Sequence, residues 1–226
     1  MQLGTLPYAE GLALQDRVRA ARQADLIPDT VLLLEHAPVY TRGRRTDAAE
    51  LPLGEDFYRA QGIEIADVDR GGKVTYHGPG QLVAYPIARV ADVLGFVHRL
   101  EEAMVAALAE EGIAARGRAA EGRELTGVWV GEAKIGNIGL HVSHGVTTHG
   151  LSLNVDNDLT PFSWIVACGL DGVAITSVAE ELGATAARLP CLRRRVAHQL
   201  ARALGARQRL VTPAALERAL TAQPVA

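Results

Sequence analysis

The spacing of apolar positions along the chain predicts both helices and strands. Steps of three and four residues, typical of a buried helix face, predict a long helix over 91–112 and another over 9–23. The same spacing from Leu192 to Leu204 predicts a C-terminal helix, and Pro213 begins a last one. Short apolar runs predict strands at 30–35, 63–68, 74–77, 81–87, 127–130, 133–142 and 146–155.

The order of these elements predicts the architecture. The last three strand candidates are joined by turns of two and three residues, which is typical of an antiparallel meander. No linker, repeat or low-complexity tract divides the chain. We therefore predict a mixed α/β (α+β) fold with a mostly antiparallel sheet flanked by helices. It forms one domain over 1–226, and 186–226 is its helical C-terminal portion.

Composition excludes several classes of protein. With 226 residues, 48% of them hydrophobic, the chain is long and apolar enough to bury a core. The formal net charge of −3 gives no overall attraction for nucleic acid. The N-terminus has no secretory signal pattern and no apolar run reaches membrane-spanning length, so we expect a cytoplasmic protein without membrane contact.

A glycine-rich segment at 70–81, RGGKVTYHGPGQ, is the first candidate binding site. Its four glycines let the main chain approach a ligand closely, and Tyr76, His77 and Gln81 add polar groups. It matches neither the GxGxxG fingerprint nor the P-loop. A glycine-rich hairpin connection is the structural alternative.

Cys168 is the candidate nucleophile. Thr160 and Pro161 predict a short helical turn over 162–166 that ends just before this cysteine, and a glycine follows it. A loop position beside glycine gives a thiol access to substrate, provided that a base or cation stabilises the thiolate. The alternative is a small buried hydrophobic residue, which is also the interpretation for Cys191.

Lys134 is the candidate proton carrier. Only two of the 23 basic residues are lysines, and only an amine can lose its proton near neutral pH. On a strand, Lys134 shares a face with the apolar Ile138 and Leu140, so an inward orientation would desolvate it and favour the neutral amine. A surface lysine with a buried stem is the alternative.

Three histidines, His141, His144 and His149, suggest a metal site. A three-residue step along a strand places the first two on opposite faces, and no carboxylate or thiol completes a ligand set. We therefore predict no metal and no other cofactor, and place His149 in a substrate pocket.

Four segments carry a resemblance to a known family. They read LLLEHAPVYTRG at 32–43, RGGKVTYHGPGQLVAYP at 70–86, GVWVGEAKIGNIGLHVSHGVTTHGLSLNVD at 127–156 and LTPFSWIVACGLDGVAITS at 159–177. Together they resemble the octanoyltransferases of lipoate biosynthesis. The chain departs from the usual pattern of that family at Gly136-Asn137 and at His141.

The resemblance implies a fold similar to the catalytic domain of biotin and lipoate protein ligases. It also implies transfer of an octanoyl group from acyl carrier protein to a lysine of lipoyl domains of 2-oxoacid dehydrogenase complexes or of the glycine cleavage H protein. Cys168 would carry the acyl group as a thioester, and Lys134 would exchange protons. The implied substrate-binding residues are Arg70, Gly71, Gly72, Tyr76, His77, Gly78, Gln81, Gly136, Ile138, Gly139, His149 and Gly150.

Three other functions stay open on the sequence. An ATP-dependent lipoate or biotin ligase would share the fold without needing Cys168. A non-catalytic protein that binds acyl groups or lipoyl domains would need neither Cys168 nor Lys134. A thiol hydrolase would use Cys168 with a histidine and would admit water to the acyl-enzyme.

Overall fold

The computed structural model describes residues 1–183 and 189–221, and it confirms the predicted mixed α/β fold. The strands in this part of the chain are β1 (Gln2–Leu6), β2 (Thr30–His36), β3 (Val39–Arg42), β4 (Glu64–Asp67), β5 (Thr75–His77), β6 (Gln81–Ile87), β7 (Arg116–Gly117), β8 (Gly127–Val130), β9 (Ala133–Ser143) and β10 (Val146–Asn154). The helices are α1 (Tyr8–Gln23), α2 (Glu55–Ala60), α3 (Val93–Ala109), α4 (Val178–Leu182), α5 (Leu189–Ala203) and α6 (Pro213–Thr221).

Seven strands form the main sheet in the order β1-β2-β6-β10-β9-β8-β7. Every neighbouring pair is antiparallel except β1 and β2, which run parallel. The mostly antiparallel sheet and the β8-β9-β10 meander are thus confirmed. The meander aligns Ser152 of β10 with Asn137 of β9, which brings the middle of both strands to the site described below.

A second sheet of three strands, in the order β4-β3-β5, was not predicted as a separate unit. The sequence pattern indicated β4 and β5 but not β3, because Pro38 was expected to end regular structure. The proline instead separates β2 from β3, and its carbonyl accepts a hydrogen bond from the amide of Glu64 at 3.0 Å. The chain therefore changes sheets at this proline.

The core has three parts. Helices α3 and α5 pack on one face of the main sheet, and α1 packs on the other. The third part covers the small sheet and is rich in aromatic side chains. Leu192, Val196 and Leu200 of α5 lie in the same cluster as Leu100 of α3, so α5 is a layer of the main core.

Two limits apply to the predicted helical C-terminal portion. Its expected start at 186 lies outside the described residues, as does its end over 222–226.

Within the described ranges, no helix is both long and apolar enough to cross a membrane.

Strand β1 had no sequence signal, since its positions do not alternate and most are exposed. Pairing with β2 holds it in place, and the terminal amine of Met1 donates to the carbonyl of Val31 at 2.7 Å. Tertiary contact, which outweighs intrinsic preference in short strands, therefore forms this element.

Glu101 joins α3 to the far end of the main sheet. Its side chain is buried, and one carboxylate oxygen accepts hydrogen bonds from the amides of Arg118 at 3.2 Å, Ala119 at 2.9 Å and Gly127 at 2.9 Å. These amides lie in and around β7 and β8, so a single carboxylate satisfies donors that would otherwise lose their partners in the interior.

We predict that Glu101→Ala lowers the free energy of unfolding by about 3 kcal/mol, because buried amides then lose a charged acceptor. Urea denaturation measures the change. The matched control is Glu102→Ala, which removes an exposed carboxylate from the next position of α3 and should leave stability within about 0.5 kcal/mol of wild type. Equal losses in the two variants would contradict a stabilising role for Glu101.

Candidate active site

Cys168 lies in a strained turn. It occupies a short 3-10 helix over Ala167–Gly169 and has left-handed backbone angles, with φ 57° and ψ 14°. This region costs a non-glycine residue about 1–3 kcal/mol, and such strain is typical of functional sites. The thiol is half-buried and its Sγ donates a hydrogen bond to Oδ1 of Asn137 at 3.2 Å. The turn thus directs the sulfur at the middle of β9.

The predicted helical turn before Cys168 differs in detail. The structure has a 3-10 helix over Thr160–Trp164, and the hydroxyl of Thr160 does not cap it. The amide of Thr160 instead donates to a carboxylate oxygen of Asp158 at 2.8 Å. Long 3-10 helices are uncommon because their hydrogen-bond geometry is poor. This one ends at Trp164, and the turn that carries the cysteine follows.

Buried Glu50 holds the cysteine turn against the small sheet. Its carbonyl accepts from the amide of Val166 at 3.0 Å, and its carboxylate accepts from the amide of Val74 at 3.1 Å. The carbonyl of Val74 then accepts from the amide of Cys168 at 3.0 Å. Lys73 completes the cluster, with Nζ 2.6 Å from the carboxylate of Glu50. Two separate segments, one at Glu50 and one at Val74, thereby fix the backbone of the strained residue.

Gly169 follows the cysteine because no side chain fits there. Its φ of 69° is left-handed, and a Cβ atom would lie 2.1 Å from Cδ of Lys73. The stem of Lys73 therefore lies directly over the turn.

Lys134 is buried, with 2% of its surface exposed, which is the inward one of the two orientations that the strand pattern left open. Its amide donates to the carbonyl of Ala174 at 2.8 Å, and its carbonyl accepts from the amide of Thr176 at 3.0 Å. The segment that follows Cys168 therefore pairs alongside the start of β9. Nζ of Lys134 lies 5.3 Å from the ring centroid of Trp129.

The two lysines have different electrostatic surroundings. Nζ of Lys73 is paired with the buried carboxylate of Glu50. Within the described residues, no carboxylate lies within 4 Å of Nζ of Lys134. Of the two lysines, Lys134 is therefore the one that has no ion-pair partner in the described part of the chain.

Arg70 brings a buried positive charge to the site. Its guanidinium donates to the hydroxyl and carbonyl of Thr41 at 2.7 Å and to the carbonyl of Gly71 at 3.0 Å, all of them neutral acceptors. Burial lowers the pKa of Arg70. Because its partners carry no charge, the guanidinium favours an anion in the cavity beside it.

His149 and Asp69 form a polar pair in the cavity wall. Nε2 of His149 lies 2.8 Å from a carboxylate oxygen of Asp69, and Nδ1 lies 3.5 Å from the hydroxyl of Tyr8. Burial lowers the pKa of His149 although Asp69 acts to raise it. The histidine has a positive φ of 56°, a second strained backbone facing the cavity.

His77 is held by Gln81, with Nδ1 2.7 Å from the side-chain oxygen. Burial lowers the pKa of His77 to about 3, so the ring is neutral at neutral pH. His36 behaves in the same way, with a pKa lowered to about 4 by burial and a 2.7 Å hydrogen bond to the hydroxyl of Tyr85. These rings supply neutral polar groups to the site.

One cavity of about 370 Å³ brings most of the predicted site residues together, a volume typical of small-molecule sites. Its lining includes Cys168, Lys134, Arg70, Gly71, Gly72, His77, Ile138, Gly139, His149 and Gly150. Gly139 is a close-approach position, since a Cβ there would lie 3.0 Å from the carbonyl of Gly71 and 3.1 Å from Cδ of Arg70.

Four predicted site residues lie behind this lining. Tyr76 packs in the aromatic core of the small sheet, and a Cβ on Gly78 would meet its hydroxyl at 2.2 Å. Gln81 donates to Oδ1 of Asn154 at 2.9 Å and supports His77. Gly136 faces Met104 of the main core. The structure gives these four a supporting position and no contact with the cavity.

Sequence reasoning missed three residues of the site. Asn137 contacts the thiol, although the sequence marked it only as a departure from the family pattern. Tyr8 and Tyr85 line the cavity from α1 and β6. A lone tyrosine in a helix or a buried strand has no sequence signal for function. Only Asn137 had a signal, its place three residues after the candidate lysine.

Two main-chain amides at the cavity already have acceptors. The amide of Cys168 donates to the carbonyl of Val74 at 3.0 Å, and the amide of Gly71 donates to the carbonyl of Leu140 at 2.8 Å. In the described part of the chain, the amide of Gly72 donates to no protein group.

In residues 1–183 and 189–221, no group of three or more histidine, cysteine, aspartate or glutamate side chains is arranged to hold a metal ion.

The sequence of this chain is similar to those of several known proteins. The family model for the lipoyl protein ligase A/B catalytic domain matches residues 7–201. An octanoyltransferase of Thermobifida fusca is 44% identical over 212 residues, which cover 89% of this chain and 86% of that protein. One of Mycolicibacterium smegmatis is 47% identical over 191 residues, covering 80% and 78%.

Solved structures show the same fold. A lipoate-protein ligase A bound with ATP superimposes with a TM-score of 0.72 at 17% identity, over 97% of this chain and 90% of the other. The bipartite lipoate protein ligase of Thermoplasma acidophilum gives a TM-score of 0.70 at 20% identity, over 96% and 89%. By its matched family model and its relatives, the chain belongs to the lipoyl protein ligase A/B catalytic domain family and to the octanoyltransferases within it.

Proposed function

We propose that this chain transfers an octanoyl group from acyl carrier protein, through a thioester on Cys168, to a lysine amine of lipoyl domains. The acceptors are lipoyl domains of 2-oxoacid dehydrogenase complexes and the glycine cleavage H protein. One observation carries the proposal: a single cavity holds a cysteine on a strained turn and a buried lysine without a carboxylate partner.

The first step forms the acyl-enzyme. The thiol of Cys168 gives its proton to Lys134, and the sulfur attacks the carbonyl carbon of the donor thioester. The bond to the carrier sulfur breaks, and that thiolate takes the proton back from Lys134. One thioester replaces another, so the activation of the donor is retained and no nucleotide is consumed.

The second step releases the product. The acceptor amine attacks the thioester carbon, and its proton passes to Lys134. The carbon–sulfur bond breaks, an amide is formed, and the proton returns to the sulfur of Cys168. The buried charge of Arg70 stabilises the anions of both steps, and the amide of Gly72 is the main-chain donor for the oxyanion.

The proposed chemistry also implies a location. A thiolate nucleophile must remain reduced, which the cytosol ensures and an oxidising compartment does not. We therefore propose that the protein acts in the cytoplasm.

We predict that Cys168→Ala abolishes octanoyl transfer, because no thioester can form. The measurement is the intact mass of the protein after incubation with octanoyl-acyl carrier protein, together with transfer to a lipoyl domain. Cys191→Ala is the matched control, since Cys191 lies on α5 outside the cavity, and it should gain the octanoyl mass. Equal activity of the two variants would remove Cys168 from the mechanism.

We predict that Lys134→Arg loses several orders of magnitude in kcat while the protein stays folded. General acid–base chemistry alone accounts for about 100- to 10,000-fold, and an arginine cannot give up its proton. Steady-state transfer rates measure the effect, and thermal unfolding provides the control for folding. A variant within a few-fold of wild type would show that Lys134 supplies only positive charge.

We predict that transfer needs neither ATP nor magnesium. Octanoyl-acyl carrier protein should label a lipoyl domain in a chelator-treated, nucleotide-free reaction, and free octanoate with ATP should label nothing. This separates the proposal from the lipoate ligases of the same fold. Incorporation of free octanoate that depends on ATP and survives Cys168→Ala would identify an adenylating ligase instead.

A further inference from the structure

Two exposed arginines, Arg45 and Arg123, line the mouth of the catalytic cavity. In the described chain, neither has a carboxylate within 4 Å of its guanidinium. Nearby arginines differ, because Arg116 and Arg118 both pair with Glu121, at 2.7 Å and 2.8 Å. The mouth therefore has two cations whose charge no protein group neutralises.

The main chain fixes both arginines relative to the reacting groups. The amide of Arg45 donates to the carbonyl of Gly72 at 3.2 Å, in the glycine-rich segment. Arg123 begins a short 3-10 helix that ends at Leu125, whose carbonyl accepts from the indole of Trp129 at 2.9 Å. One arginine is thus tied to the loop beside the cysteine turn, and the other to the tryptophan that contacts Lys134.

An exposed apolar surface adjoins these cations. Leu94 and Val93, in the first turn of α3, line the same cavity and are 72% and 41% exposed. These two neighbouring side chains form a small apolar surface at the rim of the cavity. The mouth therefore combines apolar and cationic groups.

We propose that this mouth is a subsite for the phosphopantoyl end of the donor's prosthetic arm. Arg45 and Arg123 bind the phosphate, and Leu94 packs against the dimethyl group that adjoins the phosphate on that arm. Guanidinium groups suit phosphate oxygens because they donate two parallel hydrogen bonds. The inference rests on the proposed function, since it takes the thioester of 4′-phosphopantetheine as donor.

Two other charged groups at the mouth bear on the inference. Lys73 lines the cavity as well, but its ion pair with Glu50 neutralises it. Glu124 is a carboxylate at the mouth and opposes an anion. The two positive charges of Arg45 and Arg123 outnumber the single negative charge of Glu124, so these three side chains leave the mouth net positive. Glu124→Gln should accordingly strengthen phosphate binding.

The experiment measures binding of two thioethers that cannot react, S-octyl-4′-phosphopantetheine and S-octylpantetheine, by calorimetry with the full-length protein. Wild type should bind the phosphorylated compound at least about tenfold more tightly than S-octylpantetheine, which corresponds to about 1.4 kcal/mol of binding free energy. The double variant Arg45→Ala/Arg123→Ala should lose this preference and keep its affinity for S-octylpantetheine. Arg202→Ala, which removes an exposed arginine of α5 outside the cavity, should behave as wild type.

Three results would overturn the subsite. The first is that wild type shows no preference for the phosphorylated compound, and the second is that the double variant loses affinity equally for both compounds. In the third, the double variant raises KM for octanoyl-acyl carrier protein while the phosphate preference persists, which assigns the arginines to the protein surface of the carrier. Because binding is read without turnover, a failure of octanoyl transfer is seen separately in the transfer assay.

Discussion

The site depends on the hydrogen bonds of the buried guanidinium of Arg70. It donates to Thr41 on the small sheet, while the amide of the next residue, Gly71, donates to Leu140 on the main sheet at 2.8 Å. The two sheets are therefore joined at the charge itself. Burying a charge that is not paired with a carboxylate costs free energy of folding. The hydrogen bonds from Arg70 to Thr41 and Gly71 offset part of that cost.

That charge gives the cavity its electrostatic character. The neighbouring histidines are neutral at neutral pH because burial lowers their pKa values, to about 3 for His77 and about 4 for His36. Arg70 is thus a buried cation beside two neutral rings. A reaction that passes through a sulfur anion and a tetrahedral oxyanion fits such surroundings.

The cysteine turn shows how distant segments share the cost of strain. Left-handed angles at Cys168 persist because the carbonyls of Glu50 and Val74 bind the turn and Asn137 of the main sheet binds the thiol. The carboxylate of Glu50 also pairs with Lys73, whereas Lys134 has no ion pair within the described residues. One buried glutamate therefore shapes the backbone at Cys168 and distinguishes the two lysines.

The sequence by itself determined the strongly patterned elements, among them α3, β6 and the β8-β9-β10 meander, because their periodicity is local. Its motifs also determined the family and the pairing of Cys168 with Lys134 as candidates. Only the tertiary structure decided the small sheet, the strand β1 and the left-handed turn at Cys168. It also showed that Tyr76 supports the cavity from behind while Asn137 contacts the thiol. These features depend on hydrogen bonds and charges between segments far apart in the chain, which leave no periodic signal in any one of them.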